Sequence, residues 1–175
     1  MTLAFAVFTQ MTGGAAAWAA LGVFVIAALT DLADGYIARK YGMVTTFGQI
    51  MDPIADKLLI LTALFIFAFE GSIQVWMVAL VACREILVTV ARIHALTTGR
   101  VIPAESAGKL KAAFQMTAVS LALLYRLGVI CFPELVFMRD YRAQWLFLIN
   151  GVMIAAVILT LWSGVLFFKN LLKDN

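Results

Sequence analysis

Charge is what this sequence has least of. Of its 175 residues only 13% are Asp, Glu, Lys or Arg, against roughly 25% in soluble globular domains. Hydrophobic residues make up 64%, where roughly 45–50% is ordinary, and the mean hydropathy is +1.00. Disorder is excluded, because it needs low hydrophobicity and high charge. An ordinary soluble enzyme is excluded as well. A globule this small keeps a large exposed fraction and could not bury so much apolar surface. With a formal net charge of only +3, the pI of about 9.0 is no footprint of nucleic-acid binding. There are only two cysteines, Cys83 and Cys131, with no CxxC spacing; they read as reduced, buried thiols rather than a disulfide framework. The single histidine, His94, reads as a filler or interface residue.

What the chain does have is a series of apolar runs suited to lipid. A bilayer core needs about 20 apolar residues per helix. Ala15 to Thr30 is uncharged and can continue helically to Arg39. Leu58 to Phe69 is apolar and can begin near Phe47. Ile73 to Leu96 is broken only by Arg84, Glu85 and Arg92. Ala112 to Phe132 carries Arg126 near its end, and Trp145 to Phe168 carries no charge. These predict five full spans in an all-α, polytopic membrane helix bundle, with residues 1–175 as a single domain. Met1–Met11 is apolar but too short to cross alone at about 1.5 Å per residue. It reads as the last half of a first span, so six transmembrane helices are expected in the intact fold, the first truncated here. A short re-entrant or interfacial helix is the other reading. Arg39, Lys40, Arg100, Lys109, Lys111, Lys169 and Lys173 follow alternate spans. That side is richer in Lys and Arg than the side holding Arg126, Arg139 and Arg142, so it is expected to face the cytoplasm.

The few acids are concentrated. Of ten acidic residues, four lie between Asp31 and Asp56: Asp31, Asp34, Asp52 and Asp56. Asp31 and Asp34 are three apart and share a helical face, which Gly35 and Ala38 continue. Asp52 and Asp56 are four apart and share another, with Gly48 one turn before. The short connection Lys40–Thr46 makes the two helices antiparallel neighbours, so the acidic faces can point at each other. Four facing carboxylates repel strongly in a low dielectric, and intramembrane acids are costly enough to be functional by default. Hard divalent cations resolve the repulsion. Oxygen-only ligation favours Mg²⁺ or Mn²⁺, and a carboxylate-bridged pair of metals is a clamp for in-line displacement at phosphorus. Gly35, Ala38 and Gly48 leave room for a nucleotide against the helix backbones. Pro53 removes one helix hydrogen bond between two of the acids. Helix-end ion pairing of the acids with Arg39, Lys40, Lys57 and Arg84, or an ion or proton pathway through a transporter, are the competing readings.

As a string, the segment is D-L-A-D-G-Y-I-A-R, eight residues, then G-Q-I-M-D-P-I-A-D. It resembles in full the signature of the CDP-alcohol phosphatidyltransferase family, D-x2-D-G-x2-A-R-x8-G-x3-D-x3-D. The resemblance implies a six-helix membrane fold, usually dimeric, with the signature on the second and third helices. It implies a CDP-linked lipid donor and a metal-dependent displacement that releases CMP. It assigns Asp31, Asp34, Asp52 and Asp56 to the metal site, and Asp56 as general base on the attacking hydroxyl. Asp34, Gly35, Ala38, Arg39 and Gly48 would hold the cytidine diphosphate part; without the motif, Arg39 would be a positive-inside anchor.

Downstream, Asp52-Pro-Ile-Ala-Asp-Lys57, Arg84-Glu-Ile with Arg92, and Gly108-Lys-Leu-Lys111 with Gln115 look like the bacterial phosphatidylglycerophosphate synthase branch. That branch implies CDP-diacylglycerol as donor, glycerol 3-phosphate as acceptor and the bacterial inner membrane as location, with the active site facing the cytoplasm. Trp18 to Leu127 carries the likeness well; Phe132–Tyr141 and the last helix match only in character. The family's first helix, with polar residues near the donor site, is largely missing. An anionic soluble acceptor needs cations beside the metal site. Arg84 and Arg92, eight residues apart, fall on nearly one face of the fourth helix, and Lys109 and Lys111 open the fifth. These four are the candidate acceptor-phosphate ligands, since arginine's fork suits phosphate. Arg84 could instead pair with Glu85 or an aspartate, and Lys109 and Lys111 could contact headgroups. Within the family, a cardiolipin synthase acting on phosphatidylglycerol, or an enzyme with an inositol-phosphate or serine acceptor, is the alternative.

Overall fold

The structure, a computed structural model, describes the backbone of residues 2–11, 13–41, 46–97, 106–132 and 140–173; the side chains at 28, 29, 31–41, 46–56, 96, 97, 106, 107, 109, 172 and 173 lie outside the description. Among the described residues there are six long helices and no strand: α1 (Thr2–Gln10), α2 (Gly14–Tyr41), α3 (Thr46–Phe69), α4 (Val75–Thr97), α5 (Ser106–Cys131) and α6 (Arg142–Lys173). The expected all-α architecture is therefore present.

The apolar run from Ala15 and the acidic segment to Arg39 form one continuous helix of 28 residues, and α3 runs without a break through Pro53 over 24 residues. At about 1.5 Å per residue, α2, α3 and α4 are each about 35–42 Å long, enough for a hydrocarbon core of about 30 Å. By length and composition together, two helices among the described residues are suited to cross a membrane: Leu110–Cys131 and Arg142–Leu171. Shorter apolar stretches, Gly14–Ala27 and Lys57–Phe69, occupy the parts of α2 and α3 whose side chains are described. Arg84, Glu85 and Arg92 interrupt the apolar run of α4, as the sequence leads one to expect.

The α3–α4 turn is closed by local chemistry. Gly71 has φ +76°, a left-handed conformation that disfavours a Cβ. Its N–H donates to Ala68 O (3.1 Å), and Ser72 N–H donates to Phe67 O (2.9 Å). This is the paired bond pattern of a Schellman cap, which satisfies carbonyls left over at the helix end. Asn150 of α6 then clasps the turn: its amide donates to Ser72 O (3.0 Å), and its Oδ1 accepts from Gln74 N–H (3.1 Å).

Phe5, Phe24, Leu64, Phe67, Val78, Val119, Ile149 and Met153 form the core, with alanines at 20, 63, 118, 122 and 156 letting backbones approach. Small residues at contacts are the usual way for helices to associate in lipid. α5 packs along α6, while α4 packs on both α3 and α6. Large apolar side chains cover the outside, with Phe69 at 88% exposure and Phe147 at 82%. So much exposed apolar surface suits lipid rather than water. Both cysteines are free, but Cys83 is exposed on this outer surface rather than buried.

Candidate active site

The signature residues take their place on helical backbone. Asp31, Asp34, Gly35, Ala38 and Arg39 lie on the C-terminal half of α2, and Gly48, Asp52 and Asp56 on the N-terminal half of α3. The i,i+3 and i,i+4 spacings therefore do put each acid pair on one helical face. Their side chains, and that of Lys109, lie outside the described residues, as do any contacts among them. Among the described residues no three His, Cys, Asp or Glu side chains gather.

Immediately after Asp56, a described polar cluster begins. Its centre is Glu85 of α4, only 4% exposed. Three cations from three helices converge on this carboxylate. Lys111 of α5 donates to Oε1. Arg84 Nη1 lies 3.3 Å from the same oxygen. Lys57 of α3 reaches Oε2 at 3.6 Å and also donates to Thr89 Oγ1. The Thr89 hydroxyl itself donates to Glu85 O at 2.6 Å, so Thr89 ties the lysine to the α4 backbone. Arg92 stands two turns beyond Arg84, within electrostatic range of Lys57.

Among the described residues charge is thus unbalanced here in one direction. Three described cations share one carboxylate, and Arg92 adds a fourth positive group nearby. Arg92 Nε is buried without a hydrogen-bond acceptor among the described residues. A buried excess of positive charge is unfavourable by itself and is stabilised by an anion. The cluster is suited to receive one carrying more than a single charge, such as a phosphate monoester.

Sequence spacing brought Arg84 and Arg92 onto one face and placed Lys111 at the start of the next helix; three-dimensional packing brings Arg84 and Lys111 to the same carboxylate. The pairing of Arg84 with Glu85 is present in the structure. Two contributors, Ser163 and Thr160, carried little sequence signal, while Gln115 was part of the downstream likeness. Ser163 Oγ accepts from Arg84 Nη2 (2.8 Å) and donates to Thr160 O (3.1 Å). Thr160 Oγ1 accepts from Gln115 Nε2 (3.2 Å). All of Thr160, Ser163 and Gln115 are buried. Polar residues fully buried on an otherwise apolar helix were the available clue, because burial without a partner is costly.

A second polar cluster marks the other end of α3. Arg126 of α5 pairs with Glu70 and donates to Thr9 O at the end of α1. Lys57 and Glu70 are thirteen residues apart, about 20 Å along a helix, so the cation cluster and this clasp lie at different depths.

Residues 1–162 match the family described as CDP-alcohol phosphatidyltransferase. A probable phosphatidylglycerophosphate synthase of Mycobacterium tuberculosis (strain H37Rv) is 39% identical over 158 residues, covering 90% of this chain and 66% of the relative. A CDP-diacylglycerol–glycerol-3-phosphate 3-phosphatidyltransferase of Bacillus subtilis (strain 168) is 43% identical over 113 residues, 63% of this chain and 58% of the relative. One of the same name from Rickettsia bellii (strain RML369-C) is 38% identical over 102 residues, 58% of this chain and 56% of the relative. The chain therefore spans 56–66% of the length of these relatives. With the complete signature on α2 and α3 and apolar helices around it, the chain is an integral membrane protein that belongs to the CDP-alcohol phosphatidyltransferase family.

Proposed function

We propose that this chain transfers the phosphatidyl group from CDP-diacylglycerol to sn-glycerol 3-phosphate, forming phosphatidylglycerophosphate and releasing CMP. The observation that carries the choice of acceptor is the cation-rich cluster of Lys57, Arg84 and Lys111 around Glu85, which follows directly on Asp56 along α3. The names of the relatives support the same acceptor.

The family is a metal-dependent enzyme class. The donor set suits a hard divalent cation: four carboxylates, in i,i+3 and i,i+4 register on helical backbone, with no sulfur or imidazole among them. Asp31, Asp34, Asp52 and Asp56 would hold Mg²⁺ or Mn²⁺ as a pair, whose chemistry is to neutralise charge on the diphosphate and on the departing CMP. Gly35, Ala38, Arg39 and Gly48, with Asp34, bind the cytidine diphosphate part. Arg84, Arg92, Lys109 and Lys111 hold the acceptor through its phosphate and direct its free primary hydroxyl. Asp56 takes the proton from that hydroxyl as its oxygen bonds to the lipid-side phosphorus and the bond from that phosphorus to CMP breaks. Positioning and electrostatics supply most of such a rate. The chain works as a single domain in a homodimer, in the bacterial inner membrane with the site open to the cytoplasm and the lipid donor entering from the inner leaflet.

The test is CMP release from CDP-diacylglycerol by the purified chain in Mg²⁺, with labelled candidate acceptors. Release with glycerol 3-phosphate, lost on chelation and restored by Mg²⁺ or Mn²⁺, is expected. Release with phosphatidylglycerol, serine or inositol phosphate alone overturns the acceptor. No release with any acceptor, alongside ion or proton flux in vesicles, overturns the enzyme reading.

A further inference from the structure

We propose that one face of α6, formed by Thr160, Ser163, Gly164 and Phe167, is a positioning surface that sets the direction of Arg84 and Arg92 and so the affinity for the acceptor's phosphate. The inference rests on the acceptor reading above. These four residues stand at i, i+3, i+4 and i+7 and therefore share a face. The last three lie beyond the segment that matches the family, which ends at residue 162.

Each contact has a specific geometry. Ser163 is buried, and its one hydroxyl hydrogen is given to Thr160 O at 3.1 Å. Its oxygen is thereby turned to accept, and Arg84 Nη2 donates to it at 2.8 Å. With Nη1 drawn to Glu85 Oε1 at 3.3 Å, both terminal nitrogens of Arg84 are anchored, and the guanidinium plane is set by α4 and α6 jointly. Gly164 is the second element. A Cβ there would stand 3.3 Å from Arg84 Nε and 3.4 Å from its Cγ, so any side chain would push the arginine by a few tenths of an ångström. The third is Phe167, whose ring lies under the Arg92 guanidinium at 5.8 Å, within the range of a cation–π contact. An arginine fork recognises phosphate by direction as well as charge, so rotating it weakens acceptor binding while the charge remains.

The experiment compares steady-state kinetics of wild type with Ser163→Ala, Ser163→Thr, Gly164→Ala and Gly151→Ala. Gly151 is on the same helix, and a Cβ there meets nothing within 4 Å, which makes it the steric control. Ser163→Ala and Gly164→Ala are expected to raise KM for glycerol 3-phosphate about tenfold, as loss of a charged hydrogen bond implies. KM for CDP-diacylglycerol and kcat should stay within about twofold. Ser163→Thr should restore acceptor affinity, and Gly151→Ala should leave it unchanged. In an Arg84→Lys background the additional effect of either α6 change should fall to about twofold or less, because coupled residues are not additive. Equal rises in both KM values, an undiminished effect in the Arg84→Lys background, or no rise for glycerol 3-phosphate overturns the proposal. Wild type tests the acceptor reading separately. If it uses a different phosphate monoester, the same variants are expected to act on that KM; an acceptor without one, or none, overturns both.

Discussion

Glu85→Gln is the sharpest perturbation of the cation cluster. The substitution keeps size and one oxygen acceptor for Lys111 but removes the charge that three cations share. At separations of 3.3 and 3.6 Å and an effective dielectric of about 20, each of the two longer contacts has a Coulomb attraction of roughly 5 kcal/mol. Desolvation of the buried groups offsets most of that. Removing one member of a buried pair nevertheless costs about 3–5 kcal/mol, because the remaining charges are left uncompensated. With the amide oxygen retained, the lower figure applies, about 3 kcal/mol. At about 2–4 °C per kcal/mol for a chain of this size, the expected fall in Tm is about 6–12 °C, read in detergent at one fixed scan rate. A second change gives the sign of the cause. Lys111→Met in the Glu85→Gln background removes one uncompensated cation and should recover at least about half of the loss. A Tm within about 1 °C of wild type, or strictly additive losses in the double variant, would refute the reasoning that Glu85 holds the cations together.

Three further outcomes are expected. Asp56→Asn should abolish CMP release while CDP-diacylglycerol binding, measured by equilibrium binding of labelled donor, largely survives; near wild-type turnover refutes the base assignment. Arg126→Met removes the bonds to Glu70 and Thr9 O and should release α1, seen as faster proteolysis at its end with acceptor KM unchanged. Gly71→Ala places a Cβ at φ +76° and should lower stability by about 1–2 kcal/mol, read from Tm, with no separate effect on either KM.

The helices themselves were largely legible in the chain. The acid spacings predicted helical faces, and both pairs do lie on helices. The start of α3 near Phe47 and its end at Phe69 follow from an apolar run and a glycine that closes the turn. Less legible was which side of a helix faces lipid, as Cys83 shows. An apolar neighbourhood in sequence does not distinguish the core from the lipid-facing side when both are apolar, and Cys83 is exposed.

By itself, then, the sequence determined the membrane class, the helical elements and the signature that places the chain in its family, because these depend on composition and on spacing within one or two turns. Only the tertiary structure decided that Lys57, Arg84 and Lys111 share Glu85, and that Ser163 and Gly164 of the last helix hold Arg84. Apart from Arg84 and Glu85, which are neighbours in the chain, those contacts join residues 26 to 80 positions apart. No local periodicity encodes them. They follow from the docking of α3 and α6 against α4, and of α5 against α3 and α6, which brings the few polar residues of these helices to a common point.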